Sequence, residues 1–168
     1  MFVMFDFIKA ILMGRLNMEL FHYVMARSDG WDSVSFYRFN GMEYDISALR
    51  YPRINVNPLE LDMQTRHQKK GLSDIRRADI RTVIIKDLEY ELLHIKGDFY
   101  PVYSAFGGLA IYKLNYTEGC SYIGEYKKSS GLLVHDCEHV AFHRCMRKRN
   151  KARIVIFKRG IIGSRGGS

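Results

Sequence analysis

Four consecutive residues, Asp136-Cys137-Glu138-His139, place a thiol, two carboxyl groups and an imidazole between a predicted strand and a predicted helix. Asp136 is a suitable N-cap for that helix, which puts Cys137 in its first turn. The free backbone N–H groups and the helix dipole favour a thiolate at this position. These residues are therefore candidates for nucleophilic chemistry, although free cysteine is also among the most often buried residue types.

The sequence around this thiol resembles a known family. Asp136 to Val140 resembles the Asn-Cys-Glu-His-Phe box of the lecithin-retinol acyltransferase relatives, which are permuted papain-like proteins also related to NlpC-type peptidases. Upstream, Lys96 to Phe99 and Leu109 to Tyr112 resemble that family's Gly-Asp-Leu turn and its His-Trp-Ala-Ile-Tyr strand. The resemblance covers residues 96–146. Within the family, the chain most resembles the picornavirus 2A proteins of the parechovirus and kobuvirus kind, which implies a viral accessory protein.

The general base of this family is the histidine that opens the His-Trp-Ala-Ile-Tyr strand, and Gly108 takes its place here. Without a base, a thiol of pKa about 8.5 is ionised only to a few per cent at neutral pH. Asp136 stands where the family has Asn, and its carboxylate would raise the thiol pKa further. His94 is a candidate substitute base, and His135 is a second one. The resemblance thus implies that Cys137 is a vestigial nucleophile and that the protein binds rather than catalyses.

The alternative is an active cysteine acyltransferase, phospholipase or peptidase that uses Cys137 with an unrecognised base. A second alternative has no ancestry in thiol enzymes and is an RNA-binding module alone. A hydrogen bond between the sulfur of Cys137 and an imidazole nitrogen would favour the enzyme.

Cys137, His139, His143 and Cys145 also raise the question of a zinc site. Helical steps of about 100° per residue put the two histidines on a different side of the helix from the two cysteines. The four side chains therefore cannot converge on one tetrahedral ion. A two-residue site completed by Cys120 stays open, but we predict neither a metal nor a cofactor.

The chain has 168 residues and a formal net charge of +8, which indicates an anionic partner. Basic residues crowd the end of the helix after Cys137 and the strand that follows it. Such residues also complement a helix C-terminus, so a solvated face is the competing explanation. We predict that this cluster contacts RNA, with host proteins as further partners and a membrane surface as the competing anionic one. The predicted RNA-binding residues are Arg144, Arg147, Lys148, Arg149, Lys151 and Arg153.

The three cysteines are an odd number without the spacing of a disulfide framework, and we identify no leader before them. They predict free thiols and a reducing compartment, the host cell cytoplasm or nucleus. The apolar run from Met1 to Leu12 is interrupted by Asp6 and Lys9, which excludes a membrane span in that stretch.

The hydrophobic pattern predicts a single α+β domain over residues 1–162. Residues 1–95 would form N-terminal helices and a β-hairpin, residues 96–158 the part that resembles the family, and residues 163–168 a disordered tail. An antiparallel sheet would pack against the helix that carries Cys137, as in permuted papain-like folds.

Individual elements follow from periodicity and turn residues. Phe2 to Met25 predicts one or two amphipathic helices, and Asn40-Gly41 predicts a hairpin turn within Ser33–Ile46. A helix would start at Ser73, while helix and strand both stay open for Val83–Ile95. The remaining expectations are an extended segment at Tyr51–Pro58, strands at Phe99–Tyr103, Leu109–Leu114, Ser121–Lys127, Leu132–Val134 and Ala152–Lys158, and a helix from Cys137 to about Asn150.

Overall fold

The computed structural model describes residues 2–5, 17–37, 45–55, 75–127, 131 and 133–159. This part of the chain is α+β, as predicted. Its helices are α1 (Met18–Met25), α2 (Ile75–His94) and α3 (Glu138–Asn150). Its strands are β1 (Phe2–Phe5), β2 (Ser33–Phe36), β3 (Phe99–Val102), β4 (Leu109–Tyr112), β5 (Glu125–Lys127), β6 (Leu133–His135) and β7 (Ile154–Phe157).

The main sheet is mixed, with the strand order β1-β4-β2-β7-β3. Strands β2 and β7 run parallel, and the other three pairs run antiparallel. The expectation of a purely antiparallel sheet was therefore wrong for the β2–β7 pair, whose strands are far apart in the sequence. Strands β5 and β6 form a separate antiparallel pair just before α3.

Side chains of the central strands alternate between two hydrophobic cores. In β7, Val155 and Phe157 point to the face covered by α1, where they share a core with Val24. Ile154 and Ile156 point to the opposite face, which is covered by α2 and α3. Because successive residues of a strand face opposite sides, a sheet covered on both faces needs an apolar residue at almost every position. This explains the continuous apolar run of β7.

The N-terminal segment differs from the prediction. Phe2–Phe5 is a strand that pairs with β4, and the described helix begins only at Met18, with Asn17 as its N-cap. An apolar stretch of four residues fits either state, and the free edge of β4 decides between them. Residues 6–16 lie outside the described part of the chain.

The hairpin predicted within Ser33–Ile46 was wrong for its first strand, which lies in the described part of the chain. Strand β2 lies between β4 and β7, so both of its edges are already paired. A following strand could not pair with Ser33, Val34 or Ser35, and the Asn40-Gly41 turn lies outside the described residues. Every residue from Trp31 to Tyr37 is buried, as a central strand requires.

Two further segments can be compared with the sequence predictions. Val83–Ile95, left open between helix and strand, is the second half of α2 as far as His94. Tyr51 and Ile54 exchange two backbone hydrogen bonds of 2.9 Å around a tight turn, so the beginning of the predicted extended segment is wrong. Ser73 and the tail at 163–168 lie outside the described residues.

A disulfide joins Cys120 to Cys145, which leaves Cys137 as the free cysteine. The expectation of three free thiols was therefore wrong, and the bond counts against the reducing compartment inferred from them. The side-chain amide of Asn150 donates to the carbonyls of Tyr116 (2.8 Å) and Glu118 (3.1 Å), so the segment before Cys120 lies against the end of α3. In the described part of the chain, no helix combines the length and the apolar character that a membrane crossing needs.

The disulfide joins two cysteines that are 25 positions apart, and we expect the double substitution Cys120→Ser with Cys145→Ser to lower the free energy of unfolding by about 3 kcal/mol. The loss follows from the greater freedom of the uncrosslinked unfolded chain. Urea unfolding of the variant and of the wild type with and without a dithiol reductant measures it. The reduced wild type should match the variant, and equal stability of all three samples would contradict the prediction.

Candidate functional site

Cys137 stands between β6 and α3 as the residue that caps the helix, half-buried against the larger core. The helix start was predicted to within one residue, although Asp136 had been expected as the cap. The carboxylate of Asp136 instead accepts the backbone N–H of Cys137 at 2.8 Å, and the backbone N–H of Asp136 donates to the carbonyl of Gly124. Hydrogen bonds on both sides thus fix the backbone at the thiol.

Asp136 also forms a buried ion pair with Arg50, with 2.6 Å between Nη2 and Oδ1 and side chains only 3% and 8% exposed. Nη1 of Arg50 donates to the carbonyls of Ser47 (2.9 Å) and Leu49 (2.8 Å). This pair gives a physical reason for Asp at the position where the resembling family has Asn, because a buried guanidinium needs a carboxylate. Arg50 was not predicted from the sequence, because it lies 86 positions away and carries no local signal.

The thiol of Cys137 is poorly ionised. Burial is the main cause that raises its pKa to about 11, and the carboxylates of Asp45 and Glu138 raise it further. The backbone N–H groups of His139 and Val140 act in the opposite direction, as a helix N-terminus should. The loss of solvent outweighs the helix contribution, so the pKa of the Cys137 thiol lies above that of a free cysteine.

The two histidines considered as substitute bases have other partners. His94 lies exposed at the end of α2, where its Nδ1 bonds to the carbonyl of Tyr90 at 2.7 Å. The Nδ1 of His135 lies 3.3 Å from Glu125 across the β5–β6 pair. Among the described residues, no imidazole forms a hydrogen bond with the sulfur of Cys137.

Gly108, which aligns with the family's histidine, is buried immediately before β4 and has φ +88°. A side chain is strained in this left-handed conformation, and glycine is not. The backbone therefore favours glycine at this position independently of any catalytic role.

His143 belongs to a closed polar network inside α3 and the sheet. Its Nδ1 lies 2.9 Å from the hydroxyl of Ser104 and its Nε2 lies 3.2 Å from the hydroxyl of Tyr112. Burial is the main cause that lowers the pKa of His143 to about 3, and the charges of His139 and Arg147 add to the effect. A serine beside a histidine could act in hydrolysis, but all three side chains are buried, so the network is structural.

His139 is covered by aromatic rings. It stacks on Phe106 with 4.0 Å between ring centroids, and its Nε2 lies 2.7 Å from the hydroxyl of Tyr122. Tyr122 is 40% exposed and forms the outer surface at this end of α3. Neither Phe106 nor Tyr122 had been identified from the sequence, since aromatic residues there fit an ordinary core.

The described residues do not provide a ligand set for a zinc ion. Cys145 is bonded to Cys120, and both nitrogens of His143 have hydroxyl partners. Within the described ranges, no group of three or more His, Cys, Asp or Glu side chains is placed to hold a metal ion.

The six predicted RNA-binding residues have different environments, and Arg153 has the firmest internal partner. Its guanidinium bonds to both carboxylate oxygens of Asp32 at 3.1 and 3.2 Å, and Lys113 approaches the same carboxylate at 3.4 Å. Burial acts to raise the pKa of Asp32, but the hydrogen bonds and charge of Arg153 and the charge of Lys113 hold it below its usual value. Arg153 thus fixes the start of β7.

The remaining basic residues lie on the last turns of α3. Lys148, Arg149 and Lys151 are exposed, whereas Arg144 and Arg147 are half-buried. The guanidinium of Arg149 lies so close above Gly119 that a Cβ there would come within 2.5 Å of it. Lys151 ends the helix in the left-handed conformation with φ 57°.

Comparison with known proteins finds no match to any family model, any curated protein or any solved structure. The structure shows the α+β class. The relation to permuted papain-like proteins and to picornavirus 2A proteins stays a prediction from the sequence boxes.

Alkylation of the oxidised protein by iodoacetamide reports on one thiol, because the other two cysteines are bonded to each other. We expect the rate at Cys137 to be low at neutral pH and still rising above about pH 9, since burial raises the pKa to about 11. The control is the unfolded protein under the same oxidising conditions. Its alkylation rate should reach its midpoint at about pH 8.5. A folded-state midpoint below neutrality would identify an activated nucleophile.

The buried imidazole of His143 predicts a loss of stability in acid. The unfolded chain takes up this proton below about pH 6.5 and the folded chain only near pH 3, so the free energy of unfolding should fall as pH drops through that window. Ring NMR signals of the folded protein, assigned to His143, should show a neutral imidazole at about pH 5, while the urea-unfolded chain should show it protonated. A protonated His143 in the folded protein at that pH would contradict the assignment.

Proposed function

We propose that this chain is a non-enzymatic RNA-binding protein that retains the remains of a thiol-enzyme site, in the manner of a viral accessory protein of the picornavirus 2A kind. One observation carries the RNA part of the proposal. Three exposed cations, Lys148, Arg149 and Lys151, lie at the end of α3, and no carboxylate within the described residues forms a salt bridge with them.

The concentration of these cations at one place supports this interpretation, in contrast to five cations that have internal partners. Arg50, Arg53, Lys113, Arg153 and Arg159 each have a carboxylate partner within 4.0 Å. A helix C-terminus stabilises a nearby cation by at most about 1 kcal/mol at an exposed site, which does not offset the mutual repulsion of a cluster. Phosphate groups would neutralise that charge and release counterions on binding.

The environment of Cys137 supports the non-enzymatic part. Its thiol has a raised pKa, and its sulfur has no imidazole partner among the described residues. Nucleophile, base and orienting group must lie within hydrogen-bond reach for thiol catalysis, so the protein would act by binding. A host-cell location and host-protein partners belong to the same proposal and rest on the resemblance alone, since the disulfide counts against a reducing compartment.

A second candidate is an active thiol acyltransferase, phospholipase or peptidase. One observation favours it: the backbone N–H groups of His139 and Val140 point at the sulfur of Cys137, as they would at a reactive thiolate. Turnover of an acyl ester or thioester that is lost in Cys137→Ala would establish this candidate and refute the first.

The RNA proposal predicts that Lys148→Glu with Lys151→Glu weakens binding to a mixed-sequence single-stranded RNA by about 20-fold at about 0.1 M salt. The slope of log affinity against log salt should fall by about 0.7 for each lost phosphate contact. Sequence preference should stay small, because phosphate contacts position the RNA without reading its bases. Fluorescence anisotropy at about 50 and about 200 mM salt measures both quantities.

The matched control is Lys86→Glu with Lys96→Glu, which changes the net charge equally at two exposed lysines on and just after α2. This control should retain most of the affinity, and Cys137→Ala should bind as the wild type does. Equal weakening by both lysine pairs would indicate net charge alone and remove the end of α3 from the binding surface.

A further inference from the structure

Arg147 is a half-buried cation of the cluster whose side chain is stacked on a ring. Its guanidinium carbon lies 4.8 Å from the ring centroid of Tyr103, directly after β3. The backbone N–H of Tyr103 donates to the carbonyl of Arg50 at 2.7 Å, so the ring rests on a segment fixed to the core. Stacking and backbone pairing give Arg147 a defined orientation that an exposed lysine lacks.

The charge of Arg147 is incompletely compensated within the described part of the chain. Its Nε is buried and has no hydrogen-bond partner there. Burial is the main cause that lowers the pKa of Arg147, the nearby charge of Arg144 lowers it further, and the ring of Tyr103 acts in the opposite direction. An arginine does not escape this cost by losing its proton, since its pKa stays far above neutrality.

Arg50 shows how the same chain treats a buried guanidinium when the partner is internal. There a carboxylate at 2.6 Å and two carbonyls occupy the donors. Arg147 has the ring on one side and a second arginine one turn earlier on α3, but no carboxylate in the described residues pairs with it. The guanidinium of Arg147 therefore has no carboxylate partner among the described residues, and an external anion would supply the compensating charge.

We propose that Arg147, stacked on Tyr103 and supported by the charge of Arg144, forms a discrete phosphate-binding site that anchors one backbone phosphate of a bound RNA. This inference rests on the proposed function. It assigns a specific phosphate contact to one residue, whereas the exposed lysines contribute only diffuse positive charge. Because Nε is buried, the two Nη groups form the planar fork of N–H donors that matches two phosphate oxygens. Tyr103 holds that fork in place and contributes no sequence selectivity.

Two substitutions separate the geometry from the charge. Arg147→Ala should weaken binding of a mixed-sequence single-stranded RNA by about tenfold and lower the salt slope by about 0.7. Arg147→Lys should keep the slope and still lose about threefold in affinity, because lysine retains the charge without the fork. Lys86→Ala is the control for one lost charge elsewhere. Equal binding by wild type and both Arg147 variants would overturn the inference and leave the RNA proposal intact.

A second measurement keeps the test independent of RNA and of any unfolded variant. The Nε–Hε NMR signal of Arg147 in the wild-type protein should shift during titration with inorganic pyrophosphate and with RNA, while the corresponding signal of Arg50 stays fixed. If the wild type binds no RNA, the proposed function fails, and a shift with pyrophosphate still supports the anion site. Absence of a shift with pyrophosphate overturns the site, and binding to vesicles with anionic phospholipid but not to RNA overturns the RNA assignment.

Discussion

The buried ion pair between Arg50 and Asp136 is the interaction on which the rest of this structure depends. It joins a turn of the N-terminal half to Asp136, the first residue of the Cys box (Asp136 to Val140), and the same carboxylate accepts the backbone N–H of Cys137. The backbone of Arg50 also pairs with Ser104, whose hydroxyl contacts His143 inside α3. Removing one partner of such a pair leaves a charge without compensation in the interior, a cost of about 3 to 5 kcal/mol. The same ion pair therefore stabilises the start of α3, the position of the Cys137 thiol and the buried His143.

The two ends of α3 differ in chemical character for reasons visible along the helix. Near its start, His139 to His143 are buried continuously, so the half-buried thiol lies beside a region from which water is largely excluded. Near its end, the side chains reach solvent and carry positive charge. Helix α3 packs deeply at its start and only along one side at its end. This difference alone accounts for the different chemical character of the two ends. The pKa of the thiol is raised beside the buried end, and positive charge collects where burial ends.

Sequence reasoning succeeded where the signal is local. The α+β class, strands β3, β4 and β7 and the helix after Cys137 follow from short apolar runs and turn residues, which depend on neighbours in the chain. It failed where distant segments decide: β1 is a strand because β4 offers an edge, and β2 cannot enter a hairpin because β7 occupies its second edge. The site shows the same limit. Cys137 is recognisable from its box, but the roles of Arg50 and Tyr103 arise from contacts that no spacing encodes.

The disulfide between Cys120 and Cys145 turns the residues between them into a covalent ring that contains β5, β6 and Cys137. The chain enters and leaves this ring at two points held together by one bond. A proteolytic nick within the ring, for example after Lys127, would open it without dividing the molecule. The two pieces of the nicked protein would stay joined by the disulfide until a thiol reductant separates them. A chain that looks intact under non-reducing conditions is therefore compatible with a cut beside the Cys box.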